Sequence, residues 1–274
     1  MKSIRTTALK SSLFFSGVLA LTSFVSATSH AQIPQPAIVA APIENVYIPS
    51  GFDSNDNVQI VVEAQLLDTC HRRGPTPTAT IDAEHHTITV NFPVYKYSGS
   101  FCATIVTNAH ETLNLGTLPP GHYTVRVQRA NENQHSEDYP LVDAGRFYVG
   151  PAISADPDSA LYADVANVHV RPIRVVQVGN RRRTIYAAFI TANQRKTCIN
   201  IGRLGLSGSP QSNVIELLPV MNIEGDINAP TCRNTTNQMT YHIELPSFVV
   251  GRKLIHVRSM NGQAHNLIHD FPQQ

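Results

Sequence analysis

Four cysteines, twelve histidines and two short polar runs are the residues of this 274-residue chain that could do chemistry. Cys70, Cys102, Cys198 and Cys232 contain no Cys-x-x-Cys pair, so neither a thioredoxin-like redox centre nor a zinc knuckle is spelled out. An even count fits disulfides. The histidines form no ligand set by spacing. His85 and His86 are adjacent and on a strand would point to opposite faces. His242 and His256 are placed to meet on neighbouring strands, and His265 and His269 flank the last one, but no Cys or carboxylate stands at ligand spacing beside them. His110-Glu111-Thr112-Leu113-Asn114 opens like a zincin motif, yet it ends in Asn and lies in a β-prone run. Gly205-Leu206-Ser207-Gly208-Ser209 lacks the glycine spacing and the strand–helix context of a nucleophile elbow. No catalytic constellation remains, so a hydrolase is disfavoured and a non-catalytic protein is expected.

Two charged segments stay in play. Asp53-Ser54-Asn55-Asp56-Asn57 places oxygen ligands at alternate positions, as a hard cation such as calcium requires, with Asp53, Asn55 and Asp56 as the candidate ligands. The competing reading is a solvated turn that feeds the strand NVQIVV, since Asn and Asp form turns readily. The stretch opens the first half of the chain and is not expected at the joint between the halves. The second segment is cationic. From Val165 to Ile215 every charged residue is basic, Arg171, Arg174, Arg181, Arg182 and Arg183 among them, whereas from Asn131 to Asp164 the acids face Arg146 alone. Arg181–Arg183 follow Gly179-Asn180, a two-residue hairpin turn by composition, so a hairpin tip would present them to solvent. Such a tip would bind an anionic cell-surface polymer or an acidic protein partner, or else dock on the acidic connector before it.

The elements that must position these residues read as β throughout. Ile88, Val90 and Phe92 alternate with Thr87, Thr89 and Asn91, and Tyr123, Val125 and Val127 alternate with Thr124 and Arg126. Asn261-Gly262 is a second two-residue turn by composition, and Pro93 and Pro172 mark edge strands or bulges. The two halves repeat. NVQIVVEAQLLDTC and TIYAAFITANQRKTC each close in Thr-Cys, and a second cysteine follows at Cys102 and Cys232. Each half then has Leu-Pro, a glycine and a basic alternating strand, HYTVRVQR in one case and RKLIHVRS in the other. The repeat implies bridges Cys70–Cys102 and Cys198–Cys232, one inside each half.

The first residues read as an address. Lys2, Arg5 and Lys10 precede an apolar run from Leu13 to Val25, and Ser29-His30-Ala31 offers a cleavage site. Removing residues 1–31 takes three basic residues and no acid, which moves the net charge from +1 to −2. That balance argues against a nucleic-acid binder, and the absence of Trp argues against an aromatic sugar-stacking platform. No later run is apolar long enough to span a bilayer. A secreted or periplasmic location follows.

The phrase LGTLPPGHYTVRV (115–127), with tandem β units each carrying one internal cysteine pair, resembles bacterial secreted immunoglobulin-like β-sandwich proteins. The expected architecture is all-β: a signal peptide at 1–31, a first Greek-key sandwich at 32–150, an acidic connector at 151–164 and a second sandwich at 165–274, related by internal duplication. The expected role is binding or adhesion without catalysis. A secreted protease inhibitor presenting a disulfide-pinned loop is the alternative, and a calcium-binding module comes third.

Overall fold

Alternating apolar and polar residues build strands along nearly the whole of the computed structural model, which describes residues 35–98, 101–130, 139–247 and 249–273. The leader expected over residues 1–31 lies outside them, as do Glu132, Glu137 and Asp138 of the acidic run. Among the described residues the only helical pieces are two 3-10 turns, Asp158–Leu161 and Met260–Gly262.

The first half forms three sheets. One runs β2-β4-β9, with β2 (Ile43–Tyr47), β4 (Val58–Leu66) and β9 (Thr107–Gly116). The second runs β3-β11-β10-β7-β6, from β3 (Phe52–Asp53), β6 (Thr78–Asp82), β7 (Thr87–Asn91), β10 (Gly121–Gln128) and β11 (Leu141–Gly150). The third runs β1-β8-β5, from β1 (Ala37–Ala40), β5 (His71–Arg73) and β8 (Pro93–Lys96). The second half forms two sheets. One is β12-β13-β16, from β12 (Asp164–Val178), β13 (Arg181–Asn193) and β16 (Gln238–Glu244). The other is β14-β15-β17-β18, from β14 (Ile199–Ser207), β15 (Val214–Ile223), β17 (Gly251–Arg258) and β18 (Ala264–Phe271).

The second half repeats the strand plan of the first. The order β2-β4-β9 recurs as β12-β13-β16, antiparallel throughout. The order β6-β7-β10-β11 recurs as β14-β15-β17-β18, and in both the middle pair, β7 with β10 and β15 with β17, is parallel. Disulfides Cys70–Cys102 and Cys198–Cys232 occupy equivalent places, after β4 and β13 and before β9 and β16. The chain is therefore all-β, with one bridge in each sandwich. The first core gathers Ile60, Ile88, Val90, Tyr123, Val125 and Phe147 among others, and the second Ile190, Leu217, Ile255 and Phe271. Each buried aliphatic side chain of this size contributes about 1.5–3 kcal/mol relative to exposure.

Turn chemistry explains most of the local geometry. Val178 pairs with Arg181, so Gly179-Asn180 is a two-residue turn, and Gly179 has φ +59° at its first central position, where a type II′ turn requires it. Asn261-Gly262 differs from expectation. Both residues have positive φ, but strand pairing stops at Arg258 and Ala264, which leaves a five-residue loop instead of a two-residue one. Pro172 lies on edge strand β12 beside a register shift, as its missing N–H demands. Pro93 does not mark an edge. It opens β8, the central strand of its sheet, a position where no earlier ladder bond is lost. His85 and His86 lie in the turn before β7, where the ring of His86 (φ +49°) lies tilted against Tyr123 at 4.8 Å, so they are not strand residues facing opposite sides.

Candidate functional site: a cationic hairpin arm

β13 is flanked on one side by β12 along its whole length but on the other by β16 only over Ala187–Asn193. Past Tyr186 and Pro172 the hairpin continues as a two-stranded ribbon to the Gly179-Asn180 turn. At a strand rise of about 3.3 Å per residue, the six residues 173–178 carry the tip roughly 20 Å beyond the end of β16. Arg181 and Arg182 are exposed and Arg183 is half-buried. Among the described residues no acid pairs with any of the three, and the Arg183 Nε is sheltered without a hydrogen-bond partner. Arg174 bonds Glu244 at 2.7 Å, in an exposed pair of small energetic weight. None of the described acids between residues 139 and 164 forms an ion pair with the tip. Asp164 is held by Arg195 at 3.0 Å, and Asp143 by Arg126 and Arg146 within the first sandwich.

The register brings one further group onto this hairpin that sequence reasoning missed. His169, Phe189 and His242 stand side by side across β12, β13 and β16, with ring centroids 5.1 Å and 5.5 Å apart. The Arg171 guanidinium lies 4.0 Å over the Phe189 ring, a cation–π contact. With His169 and His242 exposed and Phe189 half-buried between them, the row continues the cationic arm onto the sheet. His242 does not meet His256, because β16 and β17 belong to different sheets. Only knowledge of the register, which no local pattern reveals, could have found the row.

The Asp53–Asp56 segment lies elsewhere than expected. It is a β-turn closed by Asp56 N–H donating to the Asp53 carbonyl, and it stands where the two sandwiches meet. The Asp56 carboxylate accepts N–H bonds from Asp53 and Asp158 at 3.2 Å each and faces the Arg258 guanidinium at 3.7 Å. The Asn55 side chain donates to the Ser154 and Asp156 carbonyls. Burial pushes the Asp56 carboxyl up against the opposing pull of those bonds. Its oxygens thus hold the connector and an arginine of the second half, and the segment belongs to the joint. Among the described residues the one group of three metal-type side chains within reach of each other is Asp68 with Cys70 and Cys102, whose sulfurs form the disulfide.

A second ion pair, Glu63 with Arg252, crosses the same joint. Glu63 is fully buried and accepts bonds from Asn45, Tyr47, Asn108 and both Nε and Nη2 of Arg252. Burial opposes its ionisation, but the bonds from Arg252, Asn45 and Tyr47 outweigh that and hold the carboxyl below its usual range. Tyr47, Val61, Val214 and Leu254 pack beside it as one apolar cluster shared by both halves. His256 is buried at the joint, and burial pushes its imidazole down to about 4. Its Nδ1 bonds the Asn266 amide oxygen at 2.8 Å and its Nε2 has no partner. Among the described residues no nucleophile or carboxylate bonds this ring, so His256 is not part of an assembled triad.

One exposed apolar segment stands apart. Residues 101–106 run without regular structure beside the Cys70–Cys102 bridge, with Phe101 83% exposed and Ile105 and Val106 also in solvent. Ala103 is tied to Thr69 by two hydrogen bonds.

Fold and site together define an all-β, disulfide-bridged pair of sandwiches with a cationic arm. Residues 60–141, from β4 into the start of β11, match the ORF11 beta-sandwich domain family, so the first sandwich is similar to that domain. No curated protein and no solved structure matches the chain.

Proposed function

We propose that this is an exported, non-catalytic binding protein whose β12–β13 arm engages an anionic cell-surface polymer or an acidic protein surface. The observation that carries the reading is the ribbon beyond β16, with Arg181, Arg182 and Arg183 free of acidic partners among the described residues. Arginines on this two-stranded ribbon offer planar donors to carboxylate, sulfate or phosphate groups. Two disulfides fit an oxidising compartment, and among the described residues no helix is long and apolar enough to cross a membrane. The likeness to immunoglobulin-like sandwiches of secreted bacterial proteins draws support from Tyr123. Its hydroxyl donates to the Pro119 carbonyl at 3.0 Å, the corner bond such sandwiches use. Replacing Arg181, Arg182 and Arg183 by Ser tests the reading. Retention on a sulfated or phosphorylated polymer should collapse, wild-type retention should weaken as salt rises, and the melt should barely move. Salt-independent retention that survives the substitutions would remove the arm from the account.

A second reading is favoured by the exposed Phe101 segment. A protease inhibitor presents a preorganised loop, and residues 101–106 are pinned by a disulfide and by Thr69. Incubation with a panel of serine and cysteine proteases, with Phe101→Ala as the control, decides it: inhibition lost in the variant supports the reading, and no inhibition by the wild type ends it.

A further inference from the structure

Beyond Met1 the chain has three methionines, and all three line a single pocket between the sheets of the second sandwich. Met221 is on β15 opposite Ile201, and Met239 is on β16 opposite Ala192. Met260 opens the short turn after β17, and its N–H donates to the Ala163 carbonyl. Ile201, Ala192 and Ala163 line the same pocket, so the register and the pocket wall agree. One sulfur is fixed more closely: Met239 Sδ accepts the Tyr241 hydroxyl at 3.4 Å, while that hydroxyl in turn accepts the N–H of Ile201 on the facing strand. All three methionines are half-buried.

We propose that Met221, Met239 and Met260 form a thioether site for a soft monovalent cation, Cu(I). Thioethers are neutral, polarisable donors that select Cu(I) over Zn(II), Ca(II) or Mg(II), which prefer imidazole or oxygen ligands. The wall between them is apolar at Ala163, Ala192, Ile199 and Ile201; Asn193, Gln194, Arg195 and Asn200 complete the lining, and its one acid, Asp164, is paired with Arg195. Such a site disfavours a divalent ion, whose desolvation costs more than that of a single charge. Methionine side chains have three rotatable bonds and can close on an ion without moving the strands. The site is independent of the arm and of the binding role proposed for it.

The test is a titration of the oxidised mature protein, with methionine methyl groups carbon-13 labelled. Silver(I) serves as the redox-inert probe, and Cu(I) is then delivered from a chelator competition. The expected result is that the three methyl signals move together and saturate at one equivalent. A Met221→Leu, Met239→Leu, Met260→Leu variant should bind more weakly by at least the roughly 10–100-fold that loss of an outer-shell partner costs a metal site. Leucine is close in volume, so the metal-free melt should change little. Methyl signals that stay still while histidine signals move would overturn the proposal, as would unchanged affinity in the triple variant. If that variant fails to fold, the wild-type methyl titration decides alone.

Discussion

The two sandwiches share seven strands, pairing for pairing, and spend their remaining chain differently. The first adds β1, β5 and β8 as a third sheet and β3 at the edge of another, around a large buried cluster. Among the described residues the second has no such strands, and it lengthens its first hairpin: β12 and β13 run 15 and 13 residues where their counterparts β2 and β4 run 5 and 9. Added strands bury apolar surface and stabilise. An overlong hairpin leaves two exposed strand edges, which proteins commonly protect with charge, and here the protection is arginine. One strand plan thus supports a well-packed body in one half and a presented arm in the other.

That contrast can be broken first at the disulfides. Each closes a loop of similar length, 32 and 34 residues in sequence separation. The chain-entropy account therefore gives each about 3–4 kcal/mol. Cys198→Ala with Cys232→Ala should cost as much stability in denaturant as Cys70→Ala with Cys102→Ala. The second sandwich, with its smaller core, should become the more protease-sensitive of the two. A much smaller loss at either bridge would show that the halves are not equivalent in that respect.

Acid should expose the joint next. The folded-state value of His256 lies at about 4, below the ordinary 6.5. The unfolded chain therefore takes up the proton first: stability is unaffected above pH 6.5, falls as pH drops, and stops falling below about 4. The full loss is on the order of 3 kcal/mol at about 1.4 kcal/mol per pH unit. A His256→Gln variant should flatten the stability profile between those limits, and urea melts from pH 7 to pH 4 read it directly. Glu63 acts at lower pH, because its depressed carboxyl contributes stability that disappears only as pH falls through its folded-state value.

Arg252→Ala should cost about 2 kcal/mol. Stranding a buried charge costs about 3–5 kcal/mol, and here Arg252 is itself a third exposed while Glu63 keeps three neutral donors. The variant should also loosen the two halves together, and limited proteolysis across residues 151–164 would report it. Single Arg→Ser changes on the arm should come last, within about 0.5 kcal/mol each by thermal melting.

The parts of this architecture legible in the sequence were those written in local pattern. Strand alternation, the Thr-Cys repeat and the Gly179-Asn180 turn led directly to the sheets, both disulfides and the arm tip. What stayed hidden depends on pairing between distant residues. The His169–Phe189–His242 row needs the register of three strands separated by up to 73 residues in sequence. The Asp53–Asp56 turn looks like an N-terminal feature, and only the packing of Arg258 and Asp158 against it makes it part of the joint. Pro93 misleads because a strand's first residue needs no N–H, and Asn261-Gly262 because turn residues fix φ without fixing loop length.

The central claim is that position on the arm, and not net charge, carries binding. Two triple charge reversals with the same net change test it: Arg181→Glu, Arg182→Glu, Arg183→Glu on the arm, and Arg72→Glu, Arg129→Glu, Arg146→Glu on exposed sites of the first sandwich. Elution from an anionic polymer column at fixed salt should drop to the void for the arm variant and stay near wild type for the other. Equal loss in both variants would contradict the account.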